Sequence, residues 1–203
     1  PDTRKTFIYN TFEKLMKAIS KSLKKNDPNH LNLGIRYGYI EQLDDELLRI
    51  SKESFDALSF NCYALSPDHE KMNHALEISG LPMIIGEYHF GTVDRGLAQS
   101  LWQVNSQKER GDAFRYYTEN AFAHRGLIGT GWFRWIDQNI NGRTDGENYN
   151  CGFIDVTDRP YPYMVDAAIE TAKSLYEIHS GTKTPFHQAP NAVGHSPIPD
   201  LWE

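Results

Sequence analysis

The sequence has 203 residues, 39% hydrophobic and 24% charged, which is the composition of a globular domain large enough to bury a hydrophobic core. Its 12% aromatic content excludes intrinsic disorder over most of the length. A net charge of −6 at pH 7 argues against a nucleic-acid-binding surface, which requires a basic patch. No apolar run approaches the roughly 18 residues of a membrane span. We therefore expect neither nucleic acid nor a membrane as a partner.

Helical and strand patterns alternate along the chain. Apolar residues at helical spacing predict helices over 6–25, 43–53, 68–79, 106–124 and 162–179. Short apolar runs bounded by glycine, proline or asparagine predict strands over 31–37, 55–63, 82–88 and 127–135. Ser106 and Glu109 have the spacing of a capping box, and Gly80 and Gly181 are expected to end helices. Residues 182–203 contain four prolines and no periodicity, which predicts an extended tail.

This order predicts a parallel α/β sheet with right-handed crossovers, either an open doubly wound sheet or part of a closed (β/α)8 barrel. No glycine-rich phosphate-binding pattern follows a strand, which argues against a nucleotide site. Polar and aromatic residues gather at the carboxyl ends of the strands, where barrel enzymes hold their catalytic groups. The chain is nevertheless short for a whole barrel, which takes about 250 residues.

Glu87, at the end of the third predicted strand, is the most informative candidate. Alternation predicts that its side chain lies on the same face as Ile85. A buried carboxylate needs a partner, and Arg36 and Tyr63, at the ends of neighbouring strands, could hold it ionised. Such a carboxylate can attack an anomeric carbon. The alternative is a structural Glu–Arg ion pair.

The other candidates have both functional and structural interpretations. Trp132 and Trp135 offer flat apolar faces for sugar stacking, or they are core aromatics. His89 completes a weak E-x-H metal pattern, although a hydrogen-bonding histidine is commoner. The loop 141–148 is rich in oxygen ligands without the spacing of an EF-hand. The two cysteines match no metal-binding or disulfide pattern. We expect neither a metal nor a cofactor.

Several segments together resemble the β-agarases of glycoside hydrolase family 50. They are Ile84–Gly91, Trp132–Gln138, Gly142–Tyr149, Asn29–Arg36 and Ser59–Tyr63. The resemblance extends over roughly residues 7–180. It implies a retaining β-glycosidase on a (β/α)8 barrel, with residues 1–181 as the carboxyl-terminal half that holds strands five to eight. Residues 182–203 would follow as the extended proline-rich tail.

The resemblance also implies residue roles and a substrate, the β-galactosidic linkages of agar-type galactans. Glu87 would be the nucleophile, Tyr63 would orient it, and Arg36 would support the carboxylate or a sugar hydroxyl. Trp132 would stack under the sugar at the cleavage point. The remaining candidate substrate contacts are Asn61, His89, Trp135, Asp137, Gln138 and Glu147. Because polymeric galactans do not enter cells, the parent enzyme is expected to be secreted or periplasmic.

One requirement of the chemistry is missing from the sequence. Retaining hydrolysis uses two carboxyl groups about 5–5.5 Å apart, a nucleophile and an acid/base. In this family the acid/base follows the fourth strand, whereas this chain begins in the helix after it. Glu41 and Glu147 do not match its motif, so we expect little hydrolysis by the chain alone.

Three explanations remain open for the missing carboxyl group. The amino-terminal half-barrel is supplied separately, two copies of the chain pair into one barrel, or the chain is a non-catalytic carbohydrate-binding or structural remnant. A further alternative is a glycosidase of the same clan that acts on another β-glycoside.

Overall fold

The computed structural model describes residues 2–98 and 100–194. The α-helices are α1 (Thr3–Asn26), α2 (Asp45–Ser54), α3 (His69–Ser79), α4 (Gln107–Phe122) and α5 (Pro162–His179). The strands are β1 (Arg36–Tyr37), β2 (Leu58–Asn61), β3 (Met83–Tyr88), β4 (Trp102–Gln103), β5 (Leu127–Trp132) and β6 (Val193–Gly194), and a 3-10 turn covers Ile40–Gln42. Within the described ranges, no helix has both the length and the apolar character needed to cross a bilayer.

Four strands form one sheet, in the order β1-β2-β3-β5. β1 and β2 pair in parallel, with Arg36 opposite Ser59 and Tyr37 opposite Phe60. Each strand of this four-stranded sheet is followed along the chain by a helix. The predicted α/β class with a parallel sheet is therefore confirmed. A second, antiparallel pair joins β4 to β6, with Trp102 opposite Gly194.

The first strand is much shorter than the predicted strand 31–37. Gly34 has a φ of +71°, and its backbone N–H donates to the side chain of Asn32. A Cβ at Gly34 would meet the ring of Phe55 at 2.5 Å, so only glycine fits this position. The backbone N–H of Gly34 is bonded within this turn and is not available to a neighbouring strand. Pairing of β1 with β2 therefore begins only at Arg36.

The helix boundaries follow the capping residues of the sequence. Asp2, Asp44 and Asp68 cap α1, α2 and α3 through their carboxylates. In α4 the Ser106 hydroxyl accepts from Glu109 N at 3.2 Å, as the capping box predicts. The Glu109 carboxylate accepts from Asn105 N at 2.7 Å, one residue before the cap.

The chain divides into two compact units. One comprises residues 1–62, 68–86 and 126–129, and its core includes the fully buried Leu48, Phe60 and Met83. The other comprises 63–67, 87–125 and 130–203, where α4 packs against α5 and the core includes the fully buried Tyr117 and Met164.

Residues 182–194 are tied to the second unit, and 195–203 of the predicted tail lie outside the described residues. Phe186 N donates to the buried carboxylate of Glu119 at 2.8 Å, and Asn120 Nδ2 donates to Phe186 O at 3.0 Å. The Arg115 guanidinium lies 4.6 Å from the centre of the Phe186 ring. This described part of the tail is therefore anchored to α4.

Candidate active site

Most of the candidate residues lie near the carboxyl ends of the sheet strands, and Glu147 lies in the loop 141–148. Arg36 and Asn61 belong to the first compact unit. The second unit contains the others, which are Tyr63, Glu87, His89, Trp132, Trp135, Asp137, Gln138 and Glu147.

A hydrogen bond joins two of these side chains. The Tyr63 hydroxyl donates to Oε2 of Glu87 at 2.8 Å. Burial raises the pKa of Tyr63, and the nearby Glu87 and Glu147 charges raise it further. The phenol therefore stays protonated and remains a donor over the working pH range of proteins. This contact fixes one oxygen of a carboxylate that is itself only partly buried.

Buried and partly exposed residues alternate along β3 from Met83 to Gly86, and this alternation ends before Glu87. Ile85 is fully buried and Glu87 is partly exposed, whereas Tyr88, the next residue, is 1% exposed. Tyr88 stacks on Tyr117 of α4 with ring centres 4.1 Å apart and donates to or accepts from Thr118 at 2.5 Å. That Glu87 shares the face of Ile85 stays a prediction, and the structure shows Glu87 partly exposed between the buried Ile85 and Tyr88. An accessible carboxylate is what nucleophilic attack requires.

His89 is buried, and protein groups occupy both of its ring nitrogens. Nδ1 bonds to Phe133 O at 3.0 Å and Nε2 accepts from Leu101 N at 3.1 Å, which places the proton on Nδ1. Burial lowers the pKa of His89 to about 3, so the ring is neutral. Its ring meets Tyr63 edge-on at 5.0 Å. The geometry therefore favours support of Tyr63 over contact with a sugar hydroxyl.

Trp132 packs within the aromatic core. Its Nε1 donates to Cys151 O at 2.7 Å, and its ring contacts Tyr88 at 5.2 Å, Phe114 at 5.6 Å and Phe153 at 5.8 Å. These contacts favour the core interpretation of a half-buried side chain.

Phe133, which the sequence analysis did not single out, lies beside the ring of His89 instead. The two ring centres are 5.9 Å apart, and the Arg143 guanidinium lies 5.8 Å from the Phe133 ring centre. Phe133 is therefore the aromatic residue associated with the Glu87–Tyr63–His89 cluster. The sequence offers only a weak signal for it, since adjacent aromatic residues at a strand end look alike in pattern.

Asp137 lies in a buried network. Its carboxylate accepts from Asn150 Nδ2 at 2.8 Å, from Gly152 N at 2.7 Å and from the Tyr161 hydroxyl at 2.6 Å. Arg110, also fully buried, donates to Gly152 O at 2.7 Å and stacks on the Tyr161 ring at 5.0 Å. Burial lowers the pKa of Arg110, and the Asp137 charge partly offsets this. These contacts assign Asp137 to loop architecture, and Arg110 escaped sequence analysis because nothing in its pattern marks a buried arginine.

Gln138 and Glu147 tie the loop 141–148 to the strand end. Gln138 is buried, donates to Glu147 Oε2 at 2.7 Å and accepts from Tyr149 N at 2.7 Å. Glu147 also pairs with Arg143 at 3.2 Å, and Arg143 pairs with Asp145. The Glu87 charge contributes to the raised pKa of Arg143, so this loop lies within electrostatic range of Glu87. Glu147 is the other carboxylate whose charge reaches Tyr63.

Arg36 and Trp135 are both exposed. Arg36 donates from Nη1 to Gly86 O at 3.2 Å, and a Cβ at Gly86 would meet Arg36 Cδ at 2.2 Å. Trp135 is 68% exposed and stacks on Phe153 with ring centres 5.9 Å apart and planes 20° apart. Asn61 is half-buried as the last residue of β2. Across the described residues, no group of three or more histidine, cysteine, aspartate or glutamate side chains could hold a metal.

No family model matches the chain. The curated beta-agarase A of Vibrio sp. (strain JT0107) is 36% identical over 166 residues, which cover 78% of this chain and 16% of that protein. Beta-agarase B of the same strain is 34% identical over 170 residues, or 80% of this chain and 17% of that protein. The chain therefore spans about a sixth of the length of the curated relatives it matches.

Solved structures give a consistent picture. The agarase AgWH50C superposes with a TM-score of 0.77 at 36% identity, covering 82% of this chain and 26% of that one. An exo-beta-agarase gives 0.77 at 34% identity, covering 83% and 23%. A β-D-glucuronidase for Dictyoglomus thermophilum, at 12% identity and a TM-score of 0.54, covers 87% and 30% and shares the fold alone.

Proposed function

Because the chain is homologous to the β-agarases over about four fifths of its length, we propose that it carries the nucleophile half of an agarase-type glycoside hydrolase. Its substrate class is the β-galactosidic linkage of agar-type galactans. The observation that carries the proposal is the hydrogen bond from Tyr63 to Glu87, two residues at neighbouring strand ends. An oriented, accessible carboxylate is the group that a retaining glycosidase uses for attack.

The reaction would be a double displacement. A Glu87 oxygen attacks the anomeric carbon, the bond from that carbon to the leaving oxygen breaks, and a glycosyl ester forms. A second carboxyl group protonates the leaving oxygen and later activates the water that cleaves the ester. We assign this acid/base to the complementing half of a (β/α)8 barrel, in which this chain supplies strands five to eight. Tyr63 keeps Glu87 aimed, and His89 supports Tyr63 from behind.

Covalent trapping tests the nucleophile directly. The chain is incubated with a 2-fluoro-galactosyl inactivator, alone and together with a separately expressed amino-terminal half of a homologous agarase barrel, and the adduct is mapped by mass spectrometry. We expect one adduct, on Glu87, and none in Glu87→Gln. Glu147→Gln, which changes the neighbouring carboxylate, is the matched control and should still be labelled. An adduct on another residue, or none in the folded and complemented chain, would exclude Glu87 as the nucleophile.

The molar mass of the chain in solution tests whether a second copy of it completes the barrel. The alternative source of the second half-barrel is another copy of this chain, which would bring two Glu87 residues into one pore. Size-exclusion chromatography with light scattering distinguishes the two sources. A clean monomer at high concentration would exclude pairing of copies and leave a separate amino-terminal half.

A non-catalytic, carbohydrate-binding half-barrel is the second candidate function. The ion pair between Glu147 and Arg143 favours this candidate. Because the Glu147 carboxylate is already paired with a guanidinium, it is poorly suited to serve as the catalytic acid/base. Binding of agar oligosaccharides without labelling of Glu87 would support this candidate. Labelling by an aryl β-glucoside analogue but not by galactosyl reagents would indicate a different β-glycoside substrate.

A further inference from the structure

Trp135 exposes one aromatic face to solvent. At 68% exposure it is the most exposed tryptophan in the described part of the chain, where Trp102 and Trp132 are half-buried. Phe153 stacks against one side of the ring, with ring centres 5.9 Å and planes 20° apart, and most of the Trp135 side chain stays exposed. Large apolar side chains left exposed in this way commonly mark binding sites.

The backbone that carries this ring is held in place. Trp135 O accepts from Phe153 N at 2.8 Å and from Ile154 N at 3.1 Å. Ile136 forms a parallel bridge with Ile154, which bridges Pro160 on its other side. Three backbone segments therefore support the ring, and little conformational freedom remains to be lost when a ligand stacks on it.

Phe153 also links Trp135 to the strand end. Its ring meets Trp132, the last residue of β5, at 5.8 Å and 74°. All three aromatic residues and Glu87 belong to the same compact unit. The open face of Trp135 is thus joined through one ring to the strand end that borders the candidate active site.

We propose that Trp135 is a stacking platform for a hexopyranose unit of a galactan chain, distinct from the unit that Glu87 attacks. This inference rests on the proposed function for its substrate class. The apolar C–H face of a pyranose matches the open face of one indole ring, as ligands match aromatic pocket walls elsewhere. A polymer substrate supplies such units on either side of the cleaved linkage, and a platform outside the cleavage point would hold the chain in register.

Affinity electrophoresis tests the platform without requiring hydrolysis. The chain, Trp135→Ala and Trp135→Tyr run in native polyacrylamide gels cast with increasing concentrations of low-melting agarose. Tyr176→Ala is the matched control, because Tyr176 is 89% exposed on α5. None of these changes alters the net charge, so mobility without agarose should be equal. We expect Trp135→Ala to bind about tenfold more weakly, Trp135→Tyr to lie between, and the control to match the parent.

Each other outcome overturns the platform. Equal retardation of the parent and Trp135→Ala, or no retardation of the parent, would exclude it. Loss of the Trp135-dependent retardation once an amino-terminal half-barrel is added would mean that the ring belongs to the contact between halves. The covalent-trapping experiment tests the proposed function independently, because stacking of a sugar on Trp135 needs no nucleophile. Absence of a Glu87 adduct would exclude the proposed function and leave the platform untouched. Circular dichroism of Trp135→Tyr confirms that the comparison is made on folded protein.

Discussion

The Tyr63 hydroxyl donates to Glu87 Oε2 at 2.8 Å, while the Tyr63 ring lies 5.0 Å from the ring of His89. The carboxylate is thus held by a phenol that a buried, neutral imidazole supports. His89 lies two residues after Glu87 in the sequence and reaches the other side of the loop through Leu101 N. One short strand end therefore supplies both the carboxylate and the imidazole that lies behind its hydrogen-bond donor.

Removal of the phenolic hydroxyl should slow chemistry without unfolding the chain. Tyr63→Phe keeps the ring against His89 but leaves Glu87 without the donated hydrogen bond. A hydrogen bond to a charged group contributes about 1.5–3 kcal/mol, so we expect labelling of Glu87 to slow by roughly 10- to 100-fold. The rate constant is measured by mass spectrometry in the complemented chain. An unchanged rate would mean that Tyr63 does not orient the nucleophile.

His89 should make the stability of the chain depend on pH. Its folded pKa of about 3 lies below its ordinary value, so the unfolded chain binds the proton first as the pH falls. The free energy of unfolding should therefore hold above about pH 6.5 and fall between there and about pH 3. Urea unfolding at several pH values measures this, and His89→Gln should flatten that part of the profile.

The control for His89 is an exposed histidine. His30→Gln changes a side chain at the surface and should leave the profile unchanged. If His89→Gln and the parent lose stability in parallel on acidification, other groups determine the acid sensitivity.

Removal of the buried Arg110 guanidinium should destabilise the fold. Arg110→Met leaves the Asp137 carboxylate without its buried counter-charge and leaves the carbonyl of Gly152 without its donor. A buried polar group left without its hydrogen-bond partner costs about 1–3 kcal/mol, so we expect a loss of at least this size in urea unfolding. Arg49→Ala, which removes an exposed pair with Asp45, should change the free energy little. Equal effects of the two substitutions would contradict the assigned role of Arg110.

Gly86→Ala should strain the contact with Arg36. The added Cβ would lie 2.2 Å from Arg36 Cδ, a distance that demands movement of the side chain. Because Arg36 is exposed and its flexible side chain can move aside, we expect a loss of no more than about 1 kcal/mol in the free energy of unfolding. Gly129→Ala, whose Cβ would meet Ile84 at an ordinary 3.6 Å, is the matched control. In a double-mutant cycle, Arg36→Ala should relieve most of the loss, and additive effects would place the strain elsewhere.

Local signals in the sequence were sufficient for the helices. The Ser106 cap and Gly80 at a φ of +67° mark their boundaries from neighbouring residues alone, whereas Asp2, which starts α1 three residues before the predicted start, was seen as a cap only in the structure. The family resemblance was equally readable, and similarity to the β-agarases confirms it. The two-residue strands β4 and β6 were not predicted, because their pairing partners lie about ninety residues apart and no pattern within two residues marks a strand.

The site was readable only in part. The types and positions of Glu87 and Tyr63 point to each other, because parallel strands end at one edge of a sheet. Whether Trp132 or Phe133 accompanies them depends on packing against Tyr88 and α4, which period-two reasoning does not contain. The partners of Asp137 come from distant segments, so its burial could not be seen in its own neighbourhood.

The pairing of β6 with β4 has a mechanical consequence. Gln103 and Trp102 pair with Val193 and Gly194, and the residue before them, Leu101, holds Nε2 of His89. Tension applied to the chain beyond Gly194, whether from a tethered module or from immobilisation on a surface, would thus pull on the segment that holds the imidazole behind Tyr63. An attachment point introduced instead at Thr3, at the start of α1, would spare this connection.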